Sequence, residues 1–299
     1  MTTITRYDDH GSPRVGLVDD GRLWPLALPT IAEALELPLA ELRGVVAAAL
    51  RGPSHDAGSV HLLPPVDGRT EVWASGVTYA RSRDARREES AVQDVYAHVY
   101  EAERPELFFK CAAWRVVPDG GALNIRSDSA LNVPEPELVL VVNAHAEIAG
   151  YAVGNDMSSR SIEGLNPLYL PQAKIYDGAF ALSSGIRPAW ELEDGPLDLA
   201  IEMDIVRDGS VAWRGTTSTK HIVRNLTDLV EHLFRCYTLP QGALLSTGTG
   251  IVPQLDVTTV PGDEVRIRIA GVGDLTNPIG MTGPPVSHSL ITTTLERTD

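Results

Sequence analysis

Cysteine is scarce in this chain, with only Cys111 and Cys236 among 299 residues. Two thiols cannot build a disulfide framework, and they fit a reducing cytoplasm. Cationic residues are in deficit: 25 Lys and Arg stand against 40 Asp and Glu, a formal net charge of −15. That balance disfavours nucleic acid and anionic membrane surfaces as partners. It also means that an anionic substrate needs a local cationic site, which a metal with lysine and arginine would supply. No apolar run is long enough to span a bilayer. The opening MTTITRYDDHG has neither the basic stretch nor the apolar core of a signal peptide, so a cytoplasmic protein is expected.

Several catalytic signatures are missing too. The 8 histidines are scattered, with no HExxH and no Cys/His cluster, which argues against a zinc site. There is no GxSxG. Gly248 and Gly250 are not followed by GK[ST], so they make no phosphate loop. Internal repeats and low-complexity tracts are absent. What remains is an ordinary globular composition, 43% apolar and 22% charged. The length suffices for one large or two smaller domains.

In chain order, Pro13 to Leu26 reads as a hairpin turning at Asp20-Gly21. Thr30 is a plausible N-cap for a helical region ending at Gly52-Pro53, with Leu42, Val46 and Leu50 on one face. Residues 62–68, with Pro64-Pro65, read as a linker. A small N-terminal domain, 1–65, is therefore expected before the main body at 70–299, the alternative being an arm packed on that body. Val72 to Gly76 reads as a strand and the charged stretch from Thr78 to Ser90 as an exposed helix or lid. Val92, Val95, Tyr96, Val99 and Tyr100 fall at helical spacing ahead of Pro105, a stripe more often core than cofactor box. Further on, residues 197–216 read as a hairpin turning at Asp208-Gly209. Asn225 reads as the cap of a helix burying Leu226, Leu229, Val230, Leu233 and Phe234. Residues 244–249, 264–269 and 289–295 read as strands. The body is thus strand-rich with few helices, α+β rather than alternating βαβ units.

The richest stretch is VPEPELVLVVNAHAEIAGYAVGNDMSSRSIEGLNPLYLPQAKIY, from Val133 to Tyr176. Strand side chains alternate faces, so Glu135 and Glu137 point the same way, at the mouth of the apolar run 138–142. Pro136 between them donates no backbone hydrogen bond and suits a strand start or a bulge. After a turn, Tyr151 to Gly154 reads as a returning strand, with Asp156 just past its end. Two neighbouring strands can thus gather three carboxylates, a hard-oxygen set that suits Mg²⁺, Mn²⁺ or Ca²⁺ better than zinc. A solvated strand face and a turn aspartate are the common readings of such residues taken singly. The downstream segment, polar and turn-rich and ending at Lys174, favours a site.

Read together, ExE, then GYxVxND(V/M)S(A/S)R, then the lysine, resemble the metal-site signature of the fumarylacetoacetate hydrolase superfamily. Gly76-Val77-Thr78-Tyr79 stands in the place of GxNY, Phe108-Phe109-Lys110 of FxK and Thr247-Gly248-Thr249-Gly250 of TGTP, with PGD at 261–263 followed by GVGDLTNP. The resemblance covers about 70 to 299. Within the superfamily, RPELFFK, IRSDS, VPEPE and above all NPLYLPQAK resemble the 2-keto-3-deoxy-D-arabinonate dehydratases.

This resemblance implies a mixed β-sandwich roll with a small N-terminal α/β domain, a homodimer or dimer of dimers, and a Mg²⁺ held by Glu135, Glu137 and Asp156. It implies dehydration of a 2-keto-3-deoxy sugar acid to 2-oxoglutarate semialdehyde through a metal-stabilised enolate. Glu106 matches the catalytic glutamate, and burial beside Leu-Phe-Phe would raise its pKa; taken singly it reads as a connector. Lys174 would hold the metal-bound end or take the C3 proton. Thr249, Lys110, Ser82 and Arg81 are the expected substrate contacts; a turn and a surface lysine are the plain readings of Thr249 and Lys110. C–C hydrolases of the superfamily carry a His three residues after the Tyr and a Glu three further on, to activate water. Here Ser82 and Ala85 occupy those positions, and neither serves as a base. A metal-dependent C–C hydrolase or decarboxylase of acylpyruvates is the alternative, and a non-catalytic binding protein on the same fold is the third.

Overall fold

The structure, a computed structural model, describes residues 1–89, 93–192, 195–196 and 198–283, with the side chains of 86–96 left aside. The expected strand at 289–295 lies outside the described residues, as do Val92 and the side chains of Val95 and Tyr96.

Two sheets organise the chain. A 12-stranded mixed sheet runs from the N-terminal hairpins through Gly185–Pro188, Ile148–Asp156, Pro136–Val142, Ala243–Ser246 and Glu71–Gly76 to Glu106–Ala112. A 5-stranded sheet is built from Ser210–Ser218, Ala200–Arg207, Glu264–Ile269, Gly273–Met281 and Leu123–Ile125. Strand alternation divides the strand Pro136–Val142 between two cores. Leu138, Leu140 and Val142 pack with Ile201, Met203, Val265 and Ile267 of the smaller sheet. Val139 and Val141 pack with Ile31, Leu35, Leu42 and Val46 of the N-terminal helices. Burying a strand on both faces is what the unbroken apolar run 138–142 requires.

The N-terminal region is stitched into this body. The strand Thr3–Asp9 pairs antiparallel with Gly185–Pro188, placing Ile4 opposite Ile186. The hairpin turn falls at Asp20 (φ 43°) and Gly21 (φ 72°). Thr30 caps the helix Ile31–Glu36, its hydroxyl accepting from Glu33 N at 3.0 Å. A second helix, Leu39–Ala49, follows Pro38, which divides the single expected helical region in two. Leu42 and Val46 are buried on it, but Leu50 is 45% exposed, because the helix ends at Ala49 and the chain leaves the shared face. Helices over Ala80–Glu89 and Gln93–Glu101 fill the interval before Pro105. Asn225 caps Leu226–Phe234, whose Leu229, Val230 and Leu233 are buried.

Candidate active site

The strand Pro136–Val142 begins at Pro136, with Glu135 immediately before it. It pairs with Ile148–Asp156 so that Pro136 faces Asn155 and Glu137 faces Gly154, and Asp156 N donates to Glu135 O at 2.9 Å. Glu135, Glu137 and Asp156 therefore emerge on one side at one end of the pair. All three are buried, and their carboxylate oxygens lie within 4.8 Å of one another. Three hard oxygen ligands and no sulfur or imidazole make a donor set fit for Mg²⁺.

Cations surround this triad. Lys174, at the end of the helix Leu170–Lys174, reaches Glu135 Oε2 at 2.7 Å and Asp156 Oδ2 at 3.1 Å. Arg160 Nη2 meets Glu135 Oε1 at 2.9 Å. Lys110 Nζ meets Asp156 Oδ1 at 2.5 Å and donates to the backbone carbonyls of Met157 and Lys174. Three buried cationic side chains thus pair with two of the three carboxylates, Glu135 and Asp156, as burial of charge demands. Glu137 is held differently: its Oε2 accepts from Ser246 Oγ at 2.5 Å and Gly248 N at 2.9 Å. Burial, with the charges of Asp156 and Glu135, pushes Glu137 up to about 8, against the opposing pull of Lys174 and the Ser246 hydroxyl. A divalent cation would favour the ionised form. Burial likewise pulls Lys110 down, against Asp156.

The triad and Lys174 open onto one cavity. Its wall includes the carboxylate triad, Lys174, Glu106, Ser82 and Thr249. Glu106 is the first residue of the strand Glu106–Ala112 and lies opposite Gly76 in register. Val77, next along that wall, has φ 53°, a left-handed conformation rare for a β-branched residue and worth about 1–3 kcal/mol of strain. The Ser82 hydroxyl donates to Tyr79 O at 2.8 Å, and Thr249 Oγ1 accepts from Ile251 N at 3.1 Å.

Two of the expected substrate contacts stand elsewhere. Lys110 is 1% exposed and sits behind Asp156, with its ammonium committed to one carboxylate and two carbonyls. Arg81 is an exposed residue of the helix Ala80–Glu89 and takes no part in the cavity wall. Lys110 falls where the strand register is broken, between Phe109 opposite Trp73 and Cys111 opposite Val72, and its ammonium turns to Asp156; helical periodicity turns Arg81 away from its buried neighbour Ser82. Conversely, Arg160 and Glu163 carry no role from sequence alone. They come three residues apart on the helix Arg160–Leu165, one on Glu135 and the other in the cavity wall. The i, i+3 spacing was the available signal, masked by the turn-rich text around it.

The family described as fumarylacetoacetate (FAA) hydrolase C-terminal matches residues 71–280. The chain is 47% identical over 219 residues to the probable 2-keto-3-deoxyxylonate dehydratase of Haloferax volcanii, covering 73% of this chain and 75% of that one. It is 38% identical over 230 residues to the 2-dehydro-3-deoxy-D-arabinonate dehydratase of Saccharolobus solfataricus, covering 76% of each. A solved structure of 2-keto-3-deoxy-D-arabinonate dehydratase complexed with magnesium and 2,5-dioxopentanoate matches with a TM-score of 0.83 at 32% identity, over 95% of this chain and 100% of that one. With its carboxylate triad at the end of paired strands, and with a match spanning both of its sheets, the chain belongs to the fumarylacetoacetate hydrolase family.

Proposed function

We propose that this enzyme dehydrates a 2-keto-3-deoxy sugar acid, 2-keto-3-deoxy-D-arabinonate, to 2-oxoglutarate semialdehyde, which is 2,5-dioxopentanoate. One observation carries the reading beyond the family. Ser82 and the buried Ala85 occupy the positions where the family's C–C hydrolases keep a water-activating pair, while Glu106 shares the cavity with the metal triad. Elimination of water needs a proton carrier and no activated water.

Glu135, Glu137 and Asp156 are the residues that would hold the divalent cation. When bound, it supplies Lewis-acid withdrawal of electron density from a 2-keto acid. Lys174, paired with two of those carboxylates, holds the anionic end of the substrate by charge. Thr249 supports the same end from the cavity wall, which also holds Ser82. Glu106 takes a proton from C3 and hands it to the C4 hydroxyl, which leaves as water. The carboxylate returns to its starting state.

The test is incubation of the Mg²⁺-loaded protein with 2-keto-3-deoxypentonate, followed by NMR. Appearance of 2,5-dioxopentanoate is expected. Unreacted substrate, or cleavage of an acylpyruvate at matching efficiency, would return the assignment to the hydrolase alternative. A cytoplasmic location is supported by the free thiols of Cys111 and Cys236. Among the described residues no helix is long and apolar enough to cross a membrane. The family resemblance supports a homodimer or dimer of dimers, which light scattering on the purified chain would test. Residues 1–65 we read as a structural domain that covers one face of the catalytic sheet.

A further inference from the structure

Dehydration alone does not yield the aldehyde. Loss of water across C3 and C4 leaves a 2-keto-3-ene acid that still carries a hydroxymethyl group at C5. The aldehyde is an isomer of that compound, so no oxidant is needed: C5 rises to the aldehyde level as the C3–C4 double bond is reduced. One C5 proton must leave, one proton must arrive at C3, and the resulting C4=C5 enol must lose its hydroxyl proton and gain one at C4. Glu106 acts at C3 and at the C4 hydroxyl rather than at C5, and the three ligand carboxylates would not carry protons while they hold a cation.

Among the described residues, one further carboxylate borders the cavity. Glu163 is 4% exposed and lies in the same wall as Glu106. Its Oε2 accepts a hydrogen bond from Ser158 Oγ at 2.9 Å, which holds the carboxylate in place. It shares a helical face with Arg160, whose guanidinium grips the metal-site Glu135 at 2.9 Å. The helix Arg160–Leu165 is thereby anchored to the triad while it presents a second carboxylate to the cavity. With its carboxylate and keto group at the triad, a substrate would leave C4 and C5 to the rest of the wall, which includes Glu163.

We propose that Glu163 is a catalytic residue that carries a proton from C5 to C3 of the dehydrated intermediate. The inference rests on the dehydratase reading above. In the 2-keto-3-ene the C5 protons are acidified by conjugation with the keto group. The Glu163 carboxylate takes one, and the electron pair moves through C4 and C3 into the C2 carbonyl. The same carboxyl returns the proton to C3, which restores the carbonyl and leaves a double bond between C4 and C5. That enol then ketonises, its hydroxyl proton going to water as C4 takes one up. Glu163 ends as it began.

The experiment compares the wild type with Glu163→Gln on 2-keto-3-deoxypentonate and Mg²⁺, following both the conjugated enone by ultraviolet absorption and the aldehyde by NMR. The amide keeps an oxygen for Ser158 but cannot exchange the proton. Enone should form at near wild-type rate and accumulate, while aldehyde formation falls by about 10²–10⁴-fold. Aldehyde at the wild-type rate would overturn the proposal. So would loss of both enone and aldehyde in a variant that melts normally and still binds Mg²⁺, since Glu163 would then act before or during water loss. If Glu163→Gln does not fold, Ser158→Ala serves instead: enone is expected to build up there too, and an unchanged enone-to-aldehyde ratio overturns the assignment. A wild-type protein that leaves the substrate unchanged instead defeats the dehydratase reading itself, a result distinct from both.

Discussion

Glu106 lies across Gly76: the carboxylate Oε2 stands 2.0 Å from where a Cβ on residue 76 would be, and the two residues are partners in register. A Cβ at residue 76 would have to displace the carboxylate from this position in the cavity wall. Gly76→Ala should therefore displace Glu106 and act like its loss. Turnover should fall by about 10²–10⁴-fold in Gly76→Ala and in Glu106→Gln alike. KM should change little, which would place the loss in the transition state. Steady-state kinetics on 2-keto-3-deoxypentonate check both variants, and turnover within about threefold of wild type in Glu106→Gln would remove the residue from the mechanism.

Metal binding should depend on the whole triad. Asp156→Ala removes one of the three ligands and leaves Lys110 and Lys174 without their shared partner. Calorimetry should detect no Mg²⁺ binding by this variant. An unchanged Mg²⁺ affinity would mean that the cation sits elsewhere.

Lys110 supports the site from behind, so its removal should cost stability as well as activity. Lys110→Met leaves the Asp156 carboxylate short of a buried counter-charge and two carbonyls short of a donor. Breaking a buried pair by deleting one partner typically costs about 3–5 kcal/mol. Urea unfolding of the metal-free protein reads this directly. A loss below about 1 kcal/mol, the range of exposed pairs, would show that Asp156 finds another partner.

Acylpyruvates share the chelating end of the proposed substrate and should compete for the site. With Ser82 and Ala85 in place of a water-activating pair, they should be cleaved slowly or not at all. Comparison of kcat/KM for an acylpyruvate and for 2-keto-3-deoxypentonate decides the matter; equal values would favour C–C hydrolysis.

The two thiols should differ sharply. Cys111 is buried and its pKa is pushed from 9.0 up to about 12, chiefly by burial, whereas Cys236 is exposed. A thiol reagent should titrate one cysteine in the native protein and both after unfolding. Because the folded-state pKa is the higher one, the folded state holds this proton more tightly. The resulting stability is complete below pH 9 and is lost as pH rises towards 12. Thermal melts of wild type and Cys111→Ala across that range should converge as the pH rises; parallel curves would remove the thiol from the alkaline transition.

Local rules carried much of this molecule. Alternation along a strand is enough to send Glu135 and Glu137 the same way, and the run 138–142 announces a strand buried on both faces. The caps at Thr30 and Asn225 and the turns at Asp20-Gly21 and Asp208-Gly209 are likewise properties of a few consecutive residues. The motif order from Gly76 to Asn277 was sufficient to expose the family, because such signatures are linear text.

What only the tertiary structure decided are the relations between distant residues. Lys110 reads as a substrate contact until the strand Glu106–Ala112 is seen to turn it inward onto Asp156, 46 positions away in sequence but 2.5 Å away in space. Arg160 and Glu163 sit in text without apolar periodicity, and their roles appear once a helix of 6 residues docks against the triad. The need for a glycine at position 76 depends on a glutamate 30 positions on, which no local propensity encodes. Charge pairing and close approach are set by packing over long sequence separations, whereas alternation, capping and turn conformation are settled by each residue's own backbone and its immediate neighbours.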